Sequence, residues 1–126
     1  MVDPIHVLIV DDNAQVRSAL GIAIDLFDDL KVVGEADNGK QALALCAILH
    51  PHIVLMDLVM SGMNGVRATE MIHQAYPDIR VIVLTSTFEV DLIQAALEVG
   101  AIHYLLKNVS IDELAMTIRR VSQVTI

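Results

Sequence analysis

Aromatic side chains are scarce in this chain, which has no tryptophan, two tyrosines and two phenylalanines among 126 residues. A core without large rings has to come from Val, Ile, Leu, Met and Ala, the usual content of parallel strands buried under helices. There is one cysteine, Cys46, so no internal disulfide can form. Its place in an apolar helical pattern makes it a small buried hydrophobe. Basic residues are few: eight Lys and Arg stand against sixteen Asp and Glu, for a net charge of −8. Such a surface repels a nucleic-acid backbone and is poorly suited to direct DNA contact. Long apolar runs are missing as well. Hydrophobic residues make up 55% of the chain, yet stretches such as Ala42 to Met56 fall short of the ~20 residues a membrane helix needs. The amino terminus reads Met-Val-Asp-Pro, with no basic segment ahead of an apolar one. No signal peptide is visible, and a cytoplasmic location is expected. The histidines show no metal spacing. His50 and His52 flank Pro51, while His6, His73 and His103 are isolated, so all five are read as structural or exposed.

What the chain does contain is a regular alternation, of a length suited to one domain. Short apolar runs at 6–10, 32–36, 53–56, 81–84 and 104–106 are strand candidates. Between them lie segments with helical spacing. Val16, Ala19, Leu20, Ala23, Ile24 and Phe27 form the first stripe, and Ile111, Leu114, Ala115, Ile118 and Val121 the last. Ser86 with Glu89, and Ser110 with Glu113, fit the capping-box pattern at helix starts. Asn38-Gly39 precedes the second helix, and Pro51 and Pro77 lie just ahead of the third and fourth strands, where a helix must end. Strict strand–helix alternation predicts an α/β fold: a five-stranded parallel sheet with right-handed crossovers, doubly wound by five helices.

In such a sheet the carboxyl ends of the strands share one rim, where ligands bind. HVLIV runs into Asp11 and Asp12, HIVLM into Asp57, RVIVL into Thr85 and HYLL into Lys107. Three carboxylates brought together repel one another by about 4 kcal/mol per pair at ~4 Å and an effective dielectric near 20. They therefore call for a cation or a shared proton. Hard oxygen donors with room for water favour Mg²⁺. Asp11, Asp12 and Asn13 could equally do no more than start a helix, since Asp and Asn are good caps. Asp57 ends a fully apolar run and is held in direction by its strand, which suits a nucleophile forming an acyl phosphate. A hydroxyl at Thr85 and an ammonium at Lys107 suit phosphate oxygens, and phosphoryl transfer needs mainly positioning and charge neutralisation.

With these motifs the sequence resembles the receiver domain of two-component response regulators. IVDDN matches the acidic pair, VLMD the phosphoacceptor, VLTS the switch hydroxyl and YLLK the lysine. The resemblance covers essentially the whole chain and implies strand order 2-1-3-4-5, the flavodoxin-like receiver arrangement. It implies that Asp57 accepts a phosphoryl group from a sensor histidine kinase. It assigns Mg²⁺ to Asp11, Asp12, Asp57 and the backbone carbonyl of Val59, with Asp11 acting through water. Thr85 and Lys107 would bind the phosphate, and Tyr104 would be the aromatic switch that turns inward with Thr85. VVGEADNGKQAL, YPDIRVIVLTS, ALEVGA and YLLKN followed by ELAMTIRRV resemble the subfamily with a LuxR-type helix-turn-helix output domain. That domain would lie beyond residues 1–126 and carry the DNA contacts, although a stand-alone receiver fits too. Phe88, Glu89, Asp91, Gln94, Asp112 and Arg119 are expected exposed on the output face around the fourth helix, fifth strand and fifth helix. A homodimer would use that face or the first and fifth helices, and no membrane partner is expected.

Three departures stand out. Ser61 and Asn108 replace prolines common in the family, the second in keeping with the LuxR-type group. His52 and His103 replace commoner aspartate and glycine positions. Neither Val59 nor Thr87 can act as a strong base on an attacking water, so slow to moderate self-dephosphorylation is expected. Other readings use the same residues. A hydrolase working through an aspartyl phosphate would need a carboxylate two residues after Asp57, where Val59 stands, so no turnover of outside substrates is expected. A flavin module would need a Ser/Thr/Gly-rich phosphate loop where Asp11 and Asp12 would repel a phosphate. A degenerate receiver would bind partners without accepting phosphate.

Overall fold

The computed structural model describes residues 3–60, 62–86 and 89–124, so the expectations for Ser61, Thr87 and Phe88 lie outside the described residues. Strands β1 (Ile5–Val10), β2 (Leu30–Ala36), β3 (Ile53–Met56), β4 (Arg80–Thr85) and β5 (His103–Leu106) alternate with helices α1 (Ala14–Asp25), α2 (Gly39–Leu49), α3 (Gly65–Ala75), α4 (Val90–Glu98) and α5 (Ile111–Ser122). All pairings are parallel, in the order β2-β1-β3-β4-β5, as expected. The register slips once, between Val7 and Leu8, where β2 carries one extra residue at Val33.

Alternation along the strands sorts side chains into two cores. Leu8, Val10, Val54, Met56, Val81 and Val83 face α2, α3 and α4, together with Ala42, Cys46, Ala68, Ile72, Ile93 and Ala96. Val7, Ile9, Ile53, Leu55, Ile82 and Leu84 face α1 and α5, meeting Ile24, Leu114, Ala115, Ile118 and Val121. The central strands are thus covered on both sides, which is why β3 reads as an unbroken apolar run. Cys46 is fully buried, and its burial pushes the thiol up to about 11, as fits a packing residue.

Local chemistry sets most helix starts. Asn13, Asn38, Asn64 and Ser110 each cap a helix by accepting backbone amide hydrogen bonds. The Ser110 hydroxyl takes the amide of Glu113 at 3.1 Å, the expected capping contact. The Ser86–Glu89 box does not form: Glu89 itself is the residue before α4, and its side chain makes no capping bond. The first stripe also overran, because α1 ends at Asp25 and Phe27 sits in the following turn, packed against the second core. There Phe27 receives the Arg119 guanidinium, 5.1 Å from its ring centre. Arg119 also pairs with Asp29, with bonds of 2.6 and 3.0 Å, and is half-buried rather than exposed as expected. Glu89, Asp91, Gln94 and Asp112 are exposed as expected. His52, unexplained from the sequence, accepts the backbone N–H of His6 on its Nδ1 at 2.8 Å and donates its own to the His6 carbonyl, joining the starts of β1 and β3. Among the described residues no helix is long and apolar enough to cross a membrane.

Candidate functional site

At the carboxyl rim, β1 and β3 end side by side because their registers align Val10 with Met56. The next residues, Asp11 and Asp57, continue that ladder: each amide is still bonded to a neighbouring strand, Asp11 N–H to Ala36 O and Asp57 N–H to Val10 O, both at 3.0 Å. Both carboxylates are buried, with 2% and 5% exposure, while Asp12 beside them faces solvent. One oxygen from each of the three lies within 4.8 Å of the others. The competing reading of this segment also holds, since Asn13 caps α1 with its side chain on Gln15 and Val16. The two roles coexist because Asp11 Oδ1 accepts the Asn13 amide at 2.9 Å while its other oxygen faces the cluster.

Lys107 arrives from the end of β5. Its backbone amide donates to the carbonyl of Thr85 at 2.8 Å, tying the two strand ends together. Its Nζ stands 2.5 Å from Asp11 Oδ2 and 3.6 Å from Asp57 Oδ2. Asp57 is held above the usual carboxylate range, chiefly by burial; Lys107 and the Val59 amide pull the other way, and Asp11 and Asp12 add to the rise. The Val59 N–H reaches Asp57 Oδ1 at 3.5 Å, and the Val59 side chain is largely exposed. Thr85 is buried at the end of β4. Tyr104 lies on the edge strand β5 with 36% exposure. Asp11, Asp12, Asp57 and Lys107 therefore meet in one place, and Thr85 joins them through the backbone of Lys107.

Two further residues shape the site and escaped sequence reasoning. Gly65 opens α3 with its backbone against the strand end: a Cβ there would lie 2.1 Å from the Asp57 carbonyl oxygen, while its amide donates to Leu58 O at 3.0 Å. The Asn64-Gly65 pair was its only sequence signal, an N-cap followed by a residue without a side chain. Arg17 reaches back from α1 to the Asp11 carbonyl at 2.6 Å, and it carried no signal at all.

Three carboxylates, an ammonium and a hydroxyl at the rim of a 2-1-3-4-5 sheet form a recognisable constellation. Residues 7–119 match the response regulator receiver domain family. The chain belongs to that family. Among curated proteins this receiver is 40% identical to the transcriptional regulatory protein LiaR of Bacillus subtilis over 119 residues, 94% of this chain and 56% of that relative. It thus spans little more than half the length of the relative it matches. Among solved structures, the receiver domain of the response regulator NarL from Mycobacterium tuberculosis superposes with a TM-score of 0.91 at 28% identity, covering 98% of this chain and all of that one. A LuxR-family DNA-binding response regulator from Staphylococcus aureus gives a TM-score of 0.87 at 30% identity, covering 94% and 98%. The LuxR-type resemblance is borne out by these relatives. The acidic pocket of this receiver has the donor set to hold a metal ion: three carboxylates, two of them buried, with no soft ligand among them.

Proposed function

We propose that this receiver is a phosphorylation-dependent switch in which Asp57 takes a phosphoryl group from the phosphohistidine of a sensor kinase. In that step an Asp57 carboxylate oxygen bonds to phosphorus as the P–N bond breaks, and the kinase imidazole keeps the electron pair. The observation that carries this reading is the convergence of Lys107 with Asp11 and Asp57. A buried carboxylate beside an ammonium is positioned to attack and has a cation at hand for the incoming phosphate oxygens.

Asp11, Asp12, Asp57 and the Val59 carbonyl would hold Mg²⁺, the hard oxygen set this ion prefers. When bound, the ion would offset the charge of the phosphate and the carboxylates. The chain's own residues do the rest. Lys107 would transfer from Asp11 to the phosphate, Thr85 would donate its hydroxyl to a phosphate oxygen, and Tyr104 would turn inward from the edge strand. A filled pocket then favours the inward state and reshapes the face formed by α4, β5 and α5.

The partner would be a histidine kinase, the location cytoplasmic, and the output transcriptional through a DNA-binding domain beyond residues 1–126. The match to transcriptional regulators longer than this chain, and the acidic charge of the receiver itself, support that arrangement. A homodimer would use the α4–β5–α5 face or the α1–α5 face. The latter carries an open apolar cleft of about 320 Å³ lined by Leu20, Leu84, Ile111 and Leu114. Turnover of outside substrates is not expected, because Val59 offers no acid two residues after Asp57.

Acetyl phosphate with MgCl2 provides the test. Intact-mass spectrometry should show one added phosphoryl group, absent in Asp57→Asn and absent with EDTA. A chain that gains none at saturating donor would instead be a receiver that only binds partners.

A further inference from the structure

We propose that Arg17 is a positioning residue for the acidic pair and that Glu35 holds it in place. The inference rests on the divalent-cation reading of the pocket and adds to it a residue outside the cluster.

Asp11 and Asp12 pose a geometric problem. Neighbouring side chains on a strand point to opposite faces, so both can serve one pocket only if the chain turns immediately after Val10. Such a turn leaves the Asp11 carbonyl outside the sheet ladder, where it needs another partner. Arg17 supplies it. From the second turn of α1 its Nη1 donates to Asp11 O at 2.6 Å, and its Nε pairs with Glu35 Oε1 on β2 at 3.2 Å. The side chain is largely buried, with 17% exposure. One planar guanidinium therefore spans α1, the end of β1 and the edge strand β2, with less loss of freedom per bond than a flexible ammonium would incur.

The contact bears on the cluster through the backbone. The Asp11 peptide is held at its amide by Ala36, at its carbonyl by Arg17 and at its carboxylate by the Asn13 amide. Lys107, from the end of β5, holds the Asp11 carboxylate as well, at 2.5 Å, but the Arg17 bond is the side-chain contact made to the Asp11 carbonyl, the atom that sets the rotation of the Asp11–Asp12 peptide. Releasing that bond frees the peptide to rotate, which separates the two carboxylates.

The measurement is the Mg²⁺ dissociation constant of this chain, from ¹H–¹⁵N NMR titration of the Asp11, Asp12 and Asp57 amides, alongside Tm. Arg17→Ala should weaken Mg²⁺ by about tenfold, the usual lower effect of losing a residue that orients a ligand. Glu35→Gln should give a smaller loss in the same direction. Arg17→Lys keeps the charge without the fork and should recover less than half of the loss. Arg119→Ala removes a comparable Arg–carboxylate pair far from the pocket and should lower Tm without changing the constant. If Arg17→Ala does not fold, Glu35→Gln and Arg17→Lys carry the test. An unchanged constant with lowered Tm would make Arg17 merely structural and overturn the proposal. Full recovery by lysine would assign the effect to charge and overturn it too. A wild-type chain with no Mg²⁺ response would instead remove the cation reading beneath it.

Discussion

Lys107 is paired with Asp11, at 2.5 Å, more closely than with the phosphoacceptor candidate Asp57, at 3.6 Å. The ammonium therefore occupies the space between two buried carboxylates that a metal ion would also neutralise. A metal ion held there would compete with the lysine for the Asp11 charge.

Lys107→Ala should accordingly destabilise the metal-free chain by at least about 1–3 kcal/mol, the usual cost of leaving a buried acceptor without its partner. The same variant should gain more stability from MgCl2 than wild type does. Urea unfolding with and without MgCl2 reads both effects. An equal Mg²⁺ gain in the two proteins would show that lysine and metal do not share the site.

Asp57→Asn should raise stability at pH 7. The Asp57 carboxyl titrates above its ordinary value because burial disfavours its charge, so the folded state holds this proton more tightly than the unfolded state. Ionisation then costs stability as pH rises past the ordinary carboxylate range, and the asparagine escapes that cost. A Tm increase of a few degrees, roughly what 1 kcal/mol gives a chain of this size, should shrink to nothing near pH 4 and below. Calorimetry from pH 4 to pH 8 checks the slope.

The Asp29–Arg119 pair should act with the opposite sign. The Arg119 guanidinium holds the Asp29 carboxyl below its ordinary value. Its contribution is present above the ordinary carboxylate pKa and is lost as pH falls through the lowered folded value. Both side chains are more than a third exposed, so the effect is small and screened by salt. Asp29→Asn should lower Tm slightly at pH 7, less in 1 M-scale NaCl (a Debye length of about 3 Å), and not at all in strong acid.

Gly65→Ala and Gly21→Ala should part company. At Gly65 the added carbon meets the Asp57 carbonyl and the Leu58 Cα, backbone atoms that cannot step aside. Overpacking of this kind costs about 1–3 kcal/mol, and the shift should also slow phosphorylation of Asp57. At Gly21, inside α1, nothing lies within 4 Å of the added carbon. There alanine should stabilise by up to about 1 kcal/mol through helix propensity. Denaturation midpoints of the two variants settle the comparison.

The fold, and the meeting of Asp11, Asp12, Asp57 and Lys107 at one rim, could be read from the residues, and for physical reasons. Burial of a parallel sheet on both faces forces continuous apolar runs, so β3 was visible as Ile53–Met56 with its ends in the right place. The residue that ends such a run is aimed by the strand, which made Asp11, Asp57, Thr85 and Lys107 conspicuous. Helix starts were legible where a side chain caps its own local backbone, as at Asn38 and Ser110, but not at Glu89, where no such bond forms.

What stayed hidden depends on contacts between segments far apart in the chain. Nothing local says that Arg119 pairs with Asp29, ninety residues away. Nothing local says that Lys107 prefers Asp11 to Asp57, that His52 joins β1 to β3, or that Arg17 spans α1, β1 and β2. Alternating hydrophobicity and capping are properties of neighbours in sequence and are written there. A long charged side chain chooses its partner only after the sheet has brought the candidates within reach, so the choice belongs to the folded chain.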